Sequence, residues 1–250
     1  MLSAQRYKFI LEKLEKDSVV YLNDLVELLN TSESTIRRDL NTLDKKGFLK
    51  KVHGGATLLR DVKVNTTDYK VEFRQNLNID EKLEIAKYAA SLIEDNDLVY
   101  IDSGTTTELM IDFIKDTNAV FVTNGIIHAK KLIQRRLKTY ILGGELKLTT
   151  EAIVGAETVK SLRKYNFTKS FLGTNGVDLK SGFTTPDIRE AMVKEEALNR
   201  SKKSFILCDK SKFDEVSSIT FAEIKNKNIK IITTNLSNTK YKEVTEITEV

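Results

Sequence analysis

A chain of 250 residues, 40% hydrophobic and 30% charged, can bury a core in one large domain or two smaller ones, which excludes disorder as the default state. No run approaches the ~20 apolar residues of a membrane helix, and the start, MLSAQRYKFILEKLEK, is charged every few positions, so a cytoplasmic chain without a signal peptide is expected. The net charge of +4 is concentrated at the front, where residues 1–60 hold 11 Lys and Arg against 8 Asp and Glu.

A single cysteine, Cys208, forbids an intrachain disulfide and reads as a buried strand residue. The two histidines, His53 and His128, are too far apart to give a metal-ligand spacing. No metal and no cofactor are expected.

In residues 6–14, Ile10, Leu11 and Leu14 fall at helical spacing, and in residues 22–29 so do Leu22, Leu25, Val26, Leu28 and Leu29. Ser32 is placed to cap a third helix from about Glu33 to Lys46, stopped by Gly47. On that helix Ile36, Leu40 and Leu43 share one face. Ser34, Arg38, Asn41 and Lys45 lie opposite, flanked by Thr35 and Arg37. Such a face suits a major groove, because Arg donates twice to guanine, Asn pairs with adenine, and Ser or Thr holds phosphate near the helix start. The alternative is a solvated helix with its usual charges.

Beyond Gly47, the strand-like runs FLKKV and ATLL flank His53-Gly54-Gly55, which makes a winged helix-turn-helix. Lys50, Lys51 and His53 of the wing would reach phosphates. The segment TSESTIRRDLNTLDKKGFLKKVHGGA resembles the DeoR-type family of bacterial repressors. That resemblance implies operator binding by Ser34, Thr35, Arg37 and Arg38, with wing support from Lys51, His53 and Gly54.

Three regions follow: a winged helix-turn-helix over 1–57, a connection over 58–78 without sustained periodicity, and an α/β domain over 79–250. In the last, a helix at EKLEIAKYAASLIE precedes strand candidates DLVYID, AVFVT, TYILG, SFLGT, SFILC and IKIITT. The alternation predicts a mainly parallel sheet, with ligands outside the carboxyl ends of its strands. The candidate loops there are Asp102-Ser103-Gly104-Thr105-Thr106-Thr107, Thr123-Asn124, Gly143-Gly144, Thr174-Asn175-Gly176 and Asp209-Lys210-Ser211-Lys212.

In the first loop Gly104 permits a sharp turn, and the hydroxyls and helix-start amides suit a phosphate; an ordinary N-cap explains the same residues. The lysines after the SFILC strand would bring an ammonium group to that edge. There is no P-loop and no dinucleotide fingerprint. His128, in IIHAKKLI, reads as a helix-surface residue, so no serine-hydrolase base is evident.

DSGTTTEL, VTNG, GG, GTNGVD, GFTTPDIREAMVK and DKSKF are similar to the C-terminal sensor domain of DeoR-type repressors, a fold similar to ribose 5-phosphate isomerase. The resemblance implies a sugar-phosphate ligand. Ser103 to Thr107 and Lys212 would hold its phosphate, while Asp102, Asn124, Asn175, Glu190 and Lys194 would face sugar hydroxyls or shape the pocket. An isomerase remains the alternative, but the GTNGVD loop has Thr174, Asn175 and Gly176 where enzymes of that fold carry acids, with Asp178 displaced to its end. Glu190 and Lys194 read either as an acid-base pair or as an (i, i+4) ion pair.

Within the family, GFTTPDIREAMVKEEAL and YILGGELKLTTEAIVG resemble the fructose-operon repressors of low-GC Gram-positive bacteria, which implies fructose 1-phosphate as inducer. The lactose-operon branch, responding to tagatose 6-phosphate, is the alternative. Operator DNA, a homodimer or homotetramer and no membrane are the expected partners, with the connection as the place where ligand alters DNA affinity.

Overall fold

The computed structural model describes residues 2–17, 19–52, 54–57, 64–66, 71–236 and 239–250, the side chains of Glu72 and Phe73 excepted. The chain divides into two compact units, Met1–Thr67 and Asp68–Val250.

The first unit carries α1 (Ser3–Asp17), β1 (Val19–Tyr21), α2 (Leu22–Leu28), α3 (Glu33–Lys45), β2 (Lys50–Val52) and β3 (Gly55–Thr57). The apolar spacing is used as expected: Ile10, Leu14, Leu25, Ile36, Leu40 and Leu43 are all fully buried. Leu28 is an exception and stays half exposed. The Ser32 side chain caps α3 by accepting from Thr35 N. At the other end Phe48 N bonds Leu43 O at 3.0 Å and Gly47 N bonds Asp44 O at 2.9 Å, with Gly47 at φ +72°. This left-handed closure needs glycine and ends the helix where the sequence places its stop.

The wing strands β2 and β3 are antiparallel, and β1 adds a third strand on the far side of β3. β1 is not foreseen, because three residues between two helices carry too little periodicity. Gly55 faces it so closely that a Cβ would lie 2.0 Å from Val20 O.

The second unit opens with α4 (Val71–Gln75) and α5 (Ile79–Ser91). There follow β4 (Leu98–Ile101), α6 (Thr105–Ile111), β5 (Val120–Thr123), α7 (Ile126–Gln134) and β6 (Lys138–Ile141). After them come β7 (Glu145–Lys147), β8 (Ala152–Val154), α8 (Ala156–Leu162), β9 (Phe167–Gly173), β10 (Gly176–Asp178) and β11 (Gly182–Thr185). The chain closes with α9 (Ile188–Asn199), β12 (Ser201–Leu207), β13 (Ile219–Ala222), β14 (Ile229–Thr233) and β15 (Glu246–Glu249). The sequence assigns 58–78 to the connection. Of these, 71–78 belong to the second unit, since α4 packs on α6, while 58–63 and 67–70 lie outside the described residues.

Seven strands pair in the order β15-β14-β12-β9-β4-β5-β6, every pair parallel. Six are the strands expected from the sequence, and β15 is an additional edge. Alternation along each strand builds two cores: Val99, Ile101, Phe121, Phe171 and Phe205 face α5, α6 and α7, whereas Tyr100, Val122, Leu172 and Ile206 face α8 and α9. Burial on both faces is why these segments read as continuous apolar runs. The β7–β8 hairpin and the sheet β10-β11-β13 are smaller antiparallel pieces, absent from the sequence-based expectation.

β4 is the first strand in sequence; β5 and β6 add on one side and β9, β12, β14 and β15 on the other. The order therefore reverses between β4 and β9. The ends of neighbouring strands splay apart at such a reversal, which opens a crevice at their carboxyl edge.

Candidate functional site

In the first unit the outward face of α3 is built as its periodicity demands. Ser34, Arg37, Arg38 and Asn41 are exposed, Thr35 is partly so, and Ile36, Leu40 and Leu43 point inward. The Arg38 side chain has no partner among the described residues, while its carbonyl accepts from Thr42 Oγ1 at 2.8 Å. Arg37 is engaged by Glu33, one turn earlier, at 2.5 Å. Lys51 Nζ donates to Asn41 Oδ1 at 2.6 Å, so the wing and α3 meet through two residues predicted separately. Gly54 is exposed at φ +80°, a turn conformation favouring glycine, and the expectation for His53 lies outside the described residues.

One residue of this helix was not singled out in the sequence. Asp39 is buried and takes a two-pronged ion pair from Arg6 of α1, at 2.6 and 3.2 Å. That hydrogen bond raises the Arg6 pKa further despite burial. The signal was available, since Asp39 lies between Ile36 and Leu43 on the inward face, where a carboxylate requires a cation.

In the second unit a cleft opens at the β4/β9 reversal, bounded by the Ser103–Thr106 loop, Gly173–Asn175, Glu190 and Lys194 of α9, and Asp209 and Lys212 beyond β12. Its floor is organised by Asp102. One carboxylate oxygen accepts from Gly104 N at 2.9 Å and the other from Gly173 N at 3.0 Å and from Lys194 Nζ. Burial pushes this carboxyl up, but the Lys194 ammonium and the hydrogen bonds outweigh it and hold it below the usual carboxylate range. Lys194 also donates to Gly173 O at 3.0 Å, so it ties the ends of β4 and β9 together.

Two expectations about these residues are corrected here. Glu190 and Lys194 are not each other's partners: Glu190 accepts from Thr150 at 2.7 Å and Lys147 at 3.2 Å, while Lys194 serves Asp102. The partners of both residues lie on other strands and loops, and reaching them buries the charges better than a surface pair would. Gly104 keeps an ordinary φ of −80°, so it is not required for a sharp turn. Its worth is space: a Cβ would lie 3.1 Å from Asp102 Oδ1 and 3.2 Å from Thr107 Oγ1.

The first hydrogen bond of α6 runs from Glu108 N to Gly104 O, so the amides of Thr105, Thr106 and Thr107 precede the helical ladder. The Ser103 and Thr106 hydroxyls also have no partner among the described residues. Thr107 is turned inward, its hydroxyl 2.8 Å from Asp102 O.

Several predicted residues stand outside the cleft lining and do structural work. Thr123 Oγ1 accepts from Gly125 N, and Asn124 joins Tyr100 Oη at 2.9 Å to Ile153 O at 3.1 Å. Gly143 and Gly144 lead into β7, where a Cβ on Gly144 would lie 2.0 Å from Thr158 Oγ1. Gly176 starts β10, pressed against Glu215 O. Thr174, by contrast, lines the cleft and donates to Gly176 O at 2.8 Å; Asn175 beside it accepts from Thr185 Oγ1 at 3.2 Å. Cys208 is buried as expected, and burial pushes its thiol up, away from thiolate chemistry.

His128 departs from the surface position expected of it. It is buried under the loop, with Nε2 3.0 Å from Gly104 O and 3.2 Å from Thr107 Oγ1. A carbonyl only accepts, so Nε2 carries the proton, and burial lowers the pKa and keeps the ring neutral. Gly125 makes room for it, since a Cβ there would lie 2.4 Å from Nδ1.

Two cations of the cleft were missed altogether. Lys82 is buried, donates to Arg74 O and to Thr105 Oγ1 at 3.2 Å, and is pushed down to about 8 by burial, with Asp209 pulling the other way. It shares the buried stripe of α5 with Ile85, Ala86, Ala89 and Ala90, and a lysine on such a stripe is the signal that could have found it. Arg74 lines the cleft with Nε buried and unpartnered.

No group of His, Cys, Asp and Glu among the described residues could hold a metal, and no described helix is long and apolar enough to cross a membrane. What the cleft offers is cations, hydroxyls and amides around an acid already neutralised by Lys194.

Residues 6–62 match the model of the DeoR-like helix-turn-helix domain, and residues 77–235 that of the DeoR C terminal sensor domain. The chain is 46% identical over 225 residues to a Bacillus subtilis (strain 168) protein described as the uncharacterized HTH-type transcriptional regulator FruR, covering 90% of this chain and 88% of that one. It is 36% identical over 214 residues to the HTH-type transcriptional regulator IolR of the same strain, covering 84% of this chain and 83% of the relative. Over 223 residues it is 33% identical to the lactose phosphotransferase system repressor of Staphylococcus aureus (strain NCTC 8325 / PS 47), covering 88% of each. Among solved structures, ribose 5-phosphate isomerase A of Methanocaldococcus jannaschii aligns with a TM-score of 0.41 and 16% identity over 54% of this chain and 55% of that one. With a helix-turn-helix domain followed by a sensor domain, each matched by its model, the chain belongs to the DeoR family of transcriptional regulators.

Proposed function

We propose that this protein represses a sugar-utilisation operon, specifically a fructose operon, and leaves its operator when fructose 1-phosphate occupies the β4/β9 cleft. The observation that carries this reading is the 46% identity, over 90% of the chain, to the regulator named FruR. The chemistry of the cleft supports a phosphate ester: Ser103, Thr106 and the first-turn amides of α6 offer donors, and Lys212 offers an ammonium with no hydrogen bond or ion pair among the described residues. Asn175, Glu190 and Lys194 stand where sugar hydroxyls would lie, with Asp102 positioning Lys194.

A regulator fits these residues better than an isomerase. Asp178 is spent on a turn, accepting from Lys180 N at 2.9 Å and Ser181 N at 2.6 Å, and Glu190 is neutralised by Lys147. Neither is free to act as the base that enediolate chemistry needs.

On the DNA side Arg38 and Asn41 are the base-reading candidates of α3, with Ser34, Thr35, Arg37, Lys51 and Gly54 positioning the helix on phosphates. One winged helix covers few base pairs, so a symmetric homodimer or homotetramer on paired half-sites is part of the reading. Tenfold release of operator requires ~1.4 kcal/mol of differential ligand affinity between the two states.

The test is a titration of the protein on the DNA upstream of its own gene at stated salt, with and without fructose 1-phosphate. Loss of binding with that sugar and not with tagatose 6-phosphate is expected. The opposite preference would move the protein to the lactose-type reading, and indifference to both would sink the sensor assignment while leaving the DNA-binding one.

A further inference from the structure

The two edges of the seven-stranded sheet are finished differently. At one edge β15 carries Glu246 and Glu249, which pair with Lys230 and Lys242. Leu236 N also bonds the Glu249 carboxylate at 2.7 Å, and the 3-10 turn Thr239–Glu243 packs against the strand. Paired charges and a covering turn keep such an edge from joining another chain. At the other edge, β6 has one charge, Lys138, and no described strand pairs with its outer side. Its last two residues are large and apolar, Tyr140 at 46% and Ile141 at 49% exposed.

The register with β5 fixes how this edge points. Leu142 N bonds Thr123 O at 3.0 Å, toward β5, and backbone groups alternate along a strand, so the N–H and C=O of Thr139 and Ile141 face outward. Thr139 and Ile141 are in register with Phe121 and Thr123, on the α7 face, and Tyr140 is in register with Val122, on the α8 and α9 face. The apolar surface continues beyond the strand. Ile126 and Ile133, two turns apart on α7, are exposed on the helix that packs against β6, and Leu146 and Leu148 are exposed just after it in the chain. Exposed apolar side chains clustered around an open strand edge mark a surface for another chain.

We propose that β6 pairs antiparallel with β6 of a second copy of this chain, with Tyr140 on the two-fold axis, so that the two parallel sheets join into one. The inference deepens the homodimer reading given above and rests on it. The edge is self-complementary: with Tyr140 on the axis, the outward groups of Thr139 meet those of the partner's Ile141, and each satisfies the other. Tyr140 then lies opposite the partner's Tyr140 in a non-hydrogen-bonded pair, with Cα atoms about 4.5 Å apart, where cross-strand aromatic pairs are stabilising. The charges agree with this direction. Arg136 and Lys138, exposed and without side-chain partners among the described residues, stand at the amino end of β6, and Glu145, exposed and held by Arg189, stands just past its carboxyl end. Antiparallel pairing sets the cationic end of each strand beside the acidic end of the other.

The test is sedimentation velocity on the full chain over a range of concentrations. Tyr140→Arg sets two guanidinium groups opposite each other, and Ile141→Pro removes an outward N–H while leaving the β5 ladder intact. Each is expected to weaken the dimer by at least about tenfold. Tyr140→Cys is expected to form an intermolecular disulfide under mild oxidation, because the paired Cα atoms fall within the about 4.4–6.8 Å that a disulfide spans. Lys164→Cys, exposed in the turn after α8, should not, and Cys208 is buried with its thiol pushed up, so it does not compete. Fructose 1-phosphate affinity should stay within about twofold in Tyr140→Arg and Ile141→Pro, since neither residue lines the cleft.

A wild-type chain that sediments as a monomer at every concentration would overturn the proposal. So would a dimer that Tyr140→Arg leaves intact, which would place association on another face and leave the repressor reading standing. Should Tyr140→Arg fail to fold, the Tyr140→Cys crosslink decides alone. A dimer that depends on β6 yet binds no operator DNA would uphold the interface and sink the repressor reading.

Discussion

The two units place their charges in opposite ways. On α3 the residues proposed to meet DNA are exposed, and their neighbours are a turn away on the same helix or across the wing, as in Arg37 with Glu33 and Asn41 with Lys51. In the cleft the charges are buried, and their partners come from distant segments, as in Lys194 with Asp102 and Glu190 with Thr150. A surface that must meet DNA keeps its cations hydrated and ready, whereas a site for a small anion holds its cations in a fixed, partly desolvated frame.

Breaking the exception on the DNA-binding side should have the largest effect. Asp39→Ala removes the buried carboxylate that Arg6 of α1 pairs with and is expected to cost ~3–5 kcal/mol of stability in the first unit, measured by urea denaturation, although it deletes no DNA contact. Wild-type stability would mean that the pair only decorates the surface. Lys212→Ala comes next, with fructose 1-phosphate affinity falling by ~1.5–3 kcal/mol in calorimetry while operator affinity without ligand stays put.

Arg38→Ala should do the reverse, lowering operator affinity by ~1–3 kcal/mol and relaxing its sequence preference in competition assays, with ligand affinity unchanged. A variant that alters both functions would blur the contrast between the units.

The pH dependence of the cleft sharpens it. Burial holds the Lys82 pKa down to about 8 from 10.5, so the cost of its buried charge is fully present below about 8 and is relieved as pH rises toward 10.5. A bound anion favours the charged form. Phosphate-ester affinity is therefore expected to fall between about pH 7.5 and 9.5, by up to about tenfold per unit above the Lys82 pKa. A flat calorimetric profile would remove Lys82 from the anion's surroundings. The smallest effect belongs to the exposed α3 pair: Glu33→Gln should change stability by no more than ~0.5 kcal/mol while strengthening non-specific DNA binding at low salt, because it frees Arg37.

By itself the sequence determined the elements whose signal is local. The caps at Ser32 and Gly47, the inward stripe of α3 and six of the seven strands of the parallel sheet all follow from periodicities of 3.6 and 2, which neighbouring residues carry among themselves. Strand ends and glycine-bearing turns, visible in one dimension, also pointed to Ser103 to Thr106 and Lys212 as cleft candidates, whereas Glu190 and Lys194 came only from the family resemblance.

Only the tertiary structure decided who partners whom. Lys194 reaches across to Asp102 rather than back to Glu190, His128 is buried beneath the loop, and Arg74 and Lys82 join the cleft from segments that read as connection and as ordinary helix. The physical reason is that a buried charge takes whatever partner the packed strands and helices bring within hydrogen-bond reach. That choice is made by the strand-order reversal between β4 and β9, a feature no short window of sequence contains.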